Sequence, residues 1–367
     1  VQGTNNTLPK VNDIGEMVWT SRDDAGEWDV FYFDGRATTR LLTPYCFDRF
    51  PQINNNGQIV WEGFDAFGWG IYLNDMVSGL PPQRITSTSV IANNPQINNS
   101  GDVVYEAAGR SGAAVYLYRN GVTTQLSPSG LIASNPQIND NGTVVWTGYW
   151  YGDNDWDIYM CDTLTTPVTV SRIDHLGFVD NMPPSINENG DIAWASSPDQ
   201  GTSWDIVVWD GTEAVTLSTP DCNERVQPQI SDEGTVTWCG FDGTDWEVFL
   251  FEGDTVIQLT DNDLDDMSPQ VSSEGEVVWL GDDGNDWEVF AYKDSVITQL
   301  TDNDLNETAP QVNIEGDIVW MGSDGSNTQI YVSENIADTT PPTISSVVAT
   351  PNILWPANHK MVPVSIE

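Results

Sequence analysis

An all-β ring of eight four-stranded repeats is the fold class this sequence predicts, and three observations predict it. A block of the form Pro-x-[Val/Ile]-[Asn/Ser]-x-x-Gly-x-[Val/Ile/Met]-x-[Trp/Tyr] starts at Pro9, Pro51, Pro95, Pro136, Pro184, Pro228, Pro269 and Pro310, at intervals of 41 to 48 residues. Each block is followed by further β-rich runs separated by Asp/Gly/Asn turns. No segment sustains the i, i+3, i+4, i+7 apolar spacing of a helix, so helix content should be low. Units of this length, each unable to bury its apolar face alone, are the pattern of an eight-bladed β-propeller, which closes to leave only short edges.

The seventh unit justifies the strand count. In "PQVSSEGEVVWLGDDGNDWEVFAYKDSVITQLT" (269 to 301), Gln270 to Ser272 is a short strand, and Ser-Ser-Glu-Gly is a turn ending on a residue free to take positive φ. Glu276 to Leu280, Trp287 to Tyr292 and Val296 to Leu300 supply three more β-rich runs. The eighth unit lacks a fourth run of the "VITQLT" type. The opening "VQGTNNTLP" aligns with "TQLTDNDLNETAP" as a shortened one. Val1 to Thr4 is therefore expected to close the ring as an N-terminal strand joining the last blade.

The units, spanning 1 to 336, resemble TolB-like propeller repeats, in which a Leu-Thr pair precedes a loop, then Pro, an apolar residue, Ser and a turn ending in Asp-Gly or Glu-Gly. Leu259-Thr260, Pro269, Val271, Ser272 and Glu274-Gly275 match, as do Leu300-Thr301, Pro310, Val312 and Glu315-Gly316. The aromatic residue often found after the Pro is Val or Ile in every copy here. The resemblance implies the fold and leaves activity open. Residues 337 to 343, with Thr339-Thr340-Pro341-Pro342, read as a linker, and 344 to 367 as a β-rich tail resembling the opening of an immunoglobulin-like module of secreted bacterial proteins.

Composition narrows function. The 367 residues carry 55 acidic and 12 basic side chains, a formal charge of −43, which excludes a phosphate-backbone partner because nucleic-acid binding needs Lys and Arg. An anionic membrane surface is disfavoured for the same reason, and no apolar stretch is long enough for a membrane-spanning helix. With 16 Trp the chain is not a disordered acidic one. Its start at Val1, rather than Met, suggests a removed leader, and with it a secreted or cell-surface location. Cys46, Cys161, Cys222 and Cys239 show no metal or haem spacing, and neither haem nor a nucleotide is expected. In an exported chain Cys222 could pair with Cys239.

The only histidines are His175, in a long connection between the fourth and fifth units, where it reads as a surface loop residue, and His359, in the tail. Asp282 to Trp287 matches the core of a sialidase-like Asp-box. Leu280 stands where that motif has Ser, so the match is read as chance. No G-x-S-x-G elbow is present. The tryptophans that recur once per unit (Trp19, Trp61, Trp146, Trp194, Trp238, Trp279 and Trp320 in the second strand) read as packing between blades.

Two departures from regularity point to sites. The loops "FDAFGWG" (64 to 70) and "GYWYGDNDWD" (148 to 157) carry surplus aromatics at Phe64, Phe67, Tyr149, Trp150 and Tyr151, rings that could stack on sugars or take a partner's apolar side chain. In "TDNDLDD" and "TDNDLNE", Asp261, Asp263 and Asp265 fall at i, i+2, i+4, and Asp302, Asp304 and Asn306 repeat the spacing. Alternate side chains of such a loop can converge on one hard cation, here Ca2+ at the weak affinity of extracellular modules. In a propeller these loops share a face with "FDGTDWE" (241 to 247) and "DDGNDWE" (282 to 288). The functional expectation is a non-catalytic extracellular binding or structural module taking a protein or polysaccharide ligand on that acidic face. The alternatives are a carbohydrate-active propeller and a surface-layer or fibre subunit that self-associates through its tail.

Overall fold

A computed structural model describes residues 5–22, 26–43, 47–109, 112–152, 154–173, 179–199, 203–217, 227–333 and 362–363. Every named element is a strand, arranged as eight four-stranded antiparallel blades around a ring. Blade 2, for example, runs Asp48–Ile53, Gln58–Asp65, Gly68–Asp75 and Gln83–Arg84, paired in chain order. The predicted turn between the first two strands forms in each blade on a glycine of positive φ, from Gly15 (79°) to Gly316 (80°), a conformation that costs a residue without Cβ nothing.

The core is divided among the junctions between blades. Val18, Val30, Tyr32 and Leu41 of blade 1 pack with Ile59, Trp61 and Tyr72 of blade 2. The same pattern continues around the molecule until Met17 and Trp19 of blade 1 meet Val319 and Ile330 of blade 8, so apolar burial is what closes the circle. Each repeated Trp is at most 2% exposed, and in blades 1, 2, 4, 6, 7 and 8 its indole stacks on an aromatic ring of the third strand, as in Trp279–Phe290 at 5.7 Å. The packing role expected of these tryptophans holds.

At the seam the N-terminal strand joins the last blade. Asn5, which opens the first strand of blade 1 (Asn5–Val11), pairs in parallel with Thr328 of blade 8, and Asn6 Nδ2 donates to the Thr328 carbonyl at 2.8 Å. Within the β-rich tail, the strand Val362–Pro363 pairs with Val332 and Tyr331 on blade 8, a partner the sequence did not reveal. Val1 to Thr4, the 337 to 343 linker and the rest of the tail, with the immunoglobulin-like resemblance placed on it, lie outside the described residues.

The first strands stand side by side as the inner wall. In six of them the residue before the repeated Pro adopts a left-handed conformation: Leu8, Phe50, Asn94, Asn135, Ser268 and Ala309, with φ between 52° and 58°. The pairing register with the second strand slips at each of these points, as between Thr7 and Lys10. A proline has no N–H for a ladder, and a bulge on an edge strand takes it out of the pairing.

Candidate functional site at the acidic loop face

Antiparallel alternation puts the loop between second and third strands at the same end of the ring as the linker into the next blade. In blade 6, Asp242 Oδ1 accepts the Thr244 N–H at 2.9 Å and shapes a tight turn through Gly243. That turn delivers Asp245 and Glu247 inward. The linker is drawn against it by the Trp246 N–H donating to Asp265 Oδ1 at 3.0 Å and the Asn262 N–H donating to Glu247 Oε1 at 3.0 Å. Asn262 Nδ2 also donates to Asp266 Oδ2 at 2.7 Å, at the start of blade 7.

Three carboxylates meet there: Asp242, Asp245 and Glu247 each bring an oxygen within 4.8 Å of the others. Glu247 is fully buried and its Oε2 has no hydrogen-bond partner; Asp245 is 6% exposed and neither of its oxygens has one. Blade 7 repeats the device with Asp283, Asp286 and Glu288, where the Asn303 N–H donates to Glu288 Oε1 at 2.8 Å and Glu288 Oε2 is unpartnered. Burial raises the pKa of Asp245 first and the charges of Asp242, Asp265 and Asp263 add to it. Asp286 is raised by burial and then by Asp283, Asp304, Asp282 and Asp302. Glu247 is pushed up to about 7 and Glu307, facing Glu288 and Asp286, to about 8, with burial the main cause in both. Carboxylates so placed repel one another strongly unless a cation or protons neutralise them.

The residues the spacing singled out form the rim of this arrangement. Asp261, Asp263, Asp302, Asp304 and Asn306 are exposed, and Asp265 is half-buried on the Trp246 N–H. Convergence comes from two chain segments, and the most buried donors sit in the other one. The signal for them was the repeated Asp-Gly-x-Asp-Trp-Glu at 242 to 247 and 283 to 288.

The aromatic loops are partly self-packed. Phe64 meets Trp69 edge-on at 5.3 Å, and Tyr149 contacts Tyr151 at 5.2 Å and Trp156 at 5.5 Å while its hydroxyl donates to Asn154 Oδ1 at 2.6 Å. Arg49 lies 3.9 Å from the Trp69 ring centroid and donates to Glu62 at 2.7 Å. Phe67 and Tyr151 remain 64% and 70% exposed, and Trp150 41%. Cys239 is buried; Cys222, His175 and His359 lie outside the described residues, so the disulfide is not shown. Among the described residues no helix is long and apolar enough to cross a membrane.

No family model matches the sequence, and no curated protein matches it. Solved structures do. The β-propeller domain of the Trilobed protease from Pyrococcus furiosus matches with TM-score 0.55 and 14% identity over 82% of this chain and 99% of that domain. Dipeptidyl peptidase 4 from Porphyromonas gingivalis matches with TM-score 0.67 and 10% identity over 90% of this chain and 58% of its own. TolB from Acinetobacter baumannii matches with TM-score 0.44 and 13% identity over 90% of this chain and 76% of its own. Further peptidases match over similar spans, so the chain corresponds to a little under three fifths of the length of those enzymes.

At such identities the likeness establishes the fold. It also corrects the functional expectation. The rings this chain resembles over about nine tenths of its length stand in peptidases, which overturns the reading as a non-catalytic binding or structural module. Neither the carbohydrate-active nor the self-assembling alternative is favoured by these matches.

Proposed function

We propose that this chain is a peptidase-type propeller, a ring that works with a peptide-hydrolysing centre and whose acidic face receives peptide substrates. The observation that carries the reading is the whole-ring likeness to propellers that make up a little under three fifths of peptidase chains. Two features support a peptide ligand. The inner strands carry carboxamides, where Lys10 Nζ donates to Gln311 Oε1 at 2.8 Å and Gln311 Nε2 donates to Gln270 Oε1 at 3.3 Å; such groups can exchange hydrogen bonds with a peptide backbone. The acidic loop face, in a chain of net charge −43, draws basic peptides and repels acidic ones. An extracellular or periplasmic setting goes with this reading, since abundant cations there would screen the charge.

The test uses fluorescent peptides of one length and opposite charge. Binding is read by anisotropy and cleavage by mass spectrometry. Lys/Arg-rich peptides should bind and weaken as salt is raised, acidic ones should not bind, and cleavage products should come from the basic set. Equal affinity for both charges, or no binding and no cleavage at low salt, would sink the proposal.

A further inference from the structure

The two ends of the ring are held by different chemistry. At the end opposite the acidic loops, the asparagine that opens the first turn in six of the eight blades reaches into the next blade. Asn12 Nδ2 donates to the Asn54 carbonyl at 3.0 Å, Asn54 to that of Asn98 at 2.8 Å, Asn98 to Asn139 at 3.0 Å, Asn139 to Asn187 at 2.9 Å and Asn187 to Ser231 at 2.9 Å. Asn313 of blade 8 donates to the Asn12 carbonyl at 2.9 Å across the seam. A second set runs beside it, with backbone N–H groups donating to side chains of the next blade, as from Asn55 to Asn99 Oδ1 at 2.7 Å. Six junctions carry this clasp. In blades 6 and 7 the donor position holds Ser231 and Ser272, whose hydroxyls accept their own turn's N–H groups, from Thr235 at 3.0 Å and Glu276 at 3.1 Å. A serine side chain is too short to span to the neighbouring blade.

Those two junctions, 6 to 7 and 7 to 8, are the ones whose opposite end gathers the carboxylate clusters. We propose that each is closed there by a calcium ion. Asp242, Asp245 and Glu247 hold the first, with Asp263 and Asp265 of the linker; Asp283, Asp286 and Glu288 hold the second, with Asp302 and Asp304. Two independent observations carry this. One is that each cluster holds unpartnered carboxylate oxygens on side chains at least nine-tenths buried: both of Asp245's and Oε2 of Glu247 in the first, and Oε2 of Glu288 in the second. A buried charged group without partner or counter-ion is costly enough that folds do not keep it unneutralised. The other is that, among the described residues, the two groups of three carboxylates close enough to share one ion stand at the two junctions where the carboxamide clasp is missing.

The donors are all oxygen, which selects a hard cation. Several carboxylates from two segments suit the six to eight ligands of Ca2+ better than Mg2+, which keeps much of its water. An ion bound there ties the blade 6 loop to the linker that carries Asp266, the first residue of the blade 7 strand Asp266–Val271. The first site is tighter, because Asp245 is buried where Asp286 is only half-buried.

The test is equilibrium dialysis of the chelator-stripped 367-residue chain against calcium, beside terbium luminescence. Trp246 and Trp287 adjoin Asp245 and Asp286 and would sensitise a bound lanthanide. Two ions per chain are expected, displaced by calcium and not by equal magnesium. Asp245→Asn and Glu288→Gln should each remove one ion, and the double variant both, while Asp324→Asn in the corresponding loop of blade 8 changes nothing. Far-ultraviolet circular dichroism and a calcium-independent melting transition keep an unfolded variant from being mistaken for loss of a site; if either variant fails that check, Asp242→Asn or Asp283→Asn replaces it. No saturable binding, equal response to magnesium, or unchanged stoichiometry in the Asp245→Asn and Glu288→Gln variants overturns the proposal.

Discussion

Asp48, Asp180 and Glu188 show what single buried acids do to this chain away from the loop clusters. Burial pushes each up to about 7, from ordinary values of 3.8 for the aspartates and 4.5 for Glu188; Asp29 adds repulsion at Asp48, and Asp140 at Glu188. Because the folded pKa is the higher one, the folded chain binds the proton more tightly. The stability this gives is fully present below the unfolded pKa and is lost as pH rises through about 7. The urea midpoint in chelator should therefore fall between pH 5 and pH 8, and Asp48→Asn should flatten that fall. A midpoint that rises over this range would contradict the assignment. None of these residues stood out in the sequence, since a buried carboxylate and a solvated one are the same letter until the neighbours that exclude water are placed.

At the scale of the strand, the left-handed residue before proline and the stacked tryptophan decide local cost. Left-handed backbone costs a Cβ-bearing residue about 1 kcal/mol or more, and asparagine tolerates it best. Blades 3 and 4 use asparagine there (Asn94, Asn135), whereas blade 1 uses Leu8, which is 37% exposed. Leu8→Asn should raise stability by roughly 0.5–1 kcal/mol in chemical unfolding. Trp61 is fully buried against Tyr72 at a ring distance of 6.0 Å, and Trp61→Ala should cost about 3–5 kcal/mol, read from the same curves. The four strands, their turns and the tryptophan packing were legible because period-two patterning and turn residues act locally. The bulge was not. A residue before proline favours extended backbone, and only pairing within the ring forces the left-handed form.

For the whole molecule, blade number was legible because each Pro-to-Trp block is one supersecondary unit, and eight of them form a closed circle. That the β-rich tail would dock Val362–Pro363 on blade 8 was not legible, nor was the burial of Asp245 and Glu247. Both depend on which distant segments meet. The clasp of asparagines predicts a graded stability around the ring. Asn98→Ala should cost about 1–2 kcal/mol, by taking one of two donors from the buried Asn139 carbonyl and the side-chain acceptor from the Ser100 and Asp102 N–H groups. Ser272→Asn should gain about 1 kcal/mol by supplying a donor to blade 8, with Glu276 placed as Glu16 is beside Asn12. Melting curves of the two variants in chelator check both signs. No change on Ser272→Asn would mean that junction is spaced too widely for the clasp.

Every one of those asparagines donates in the same rotational sense, from blade n to blade n+1. Aligned dipoles in a helix add to a macrodipole with a charged pole at each end. Laid head to tail around a full circle they would sum to zero, holding the blades together without polarising the molecule. Here the circle is an arc, because Ser231 and Ser272 leave two links out. The vectors no longer cancel, and the residual moment belongs to the sector of blades 6 to 8, the sector whose other end gathers the buried acids.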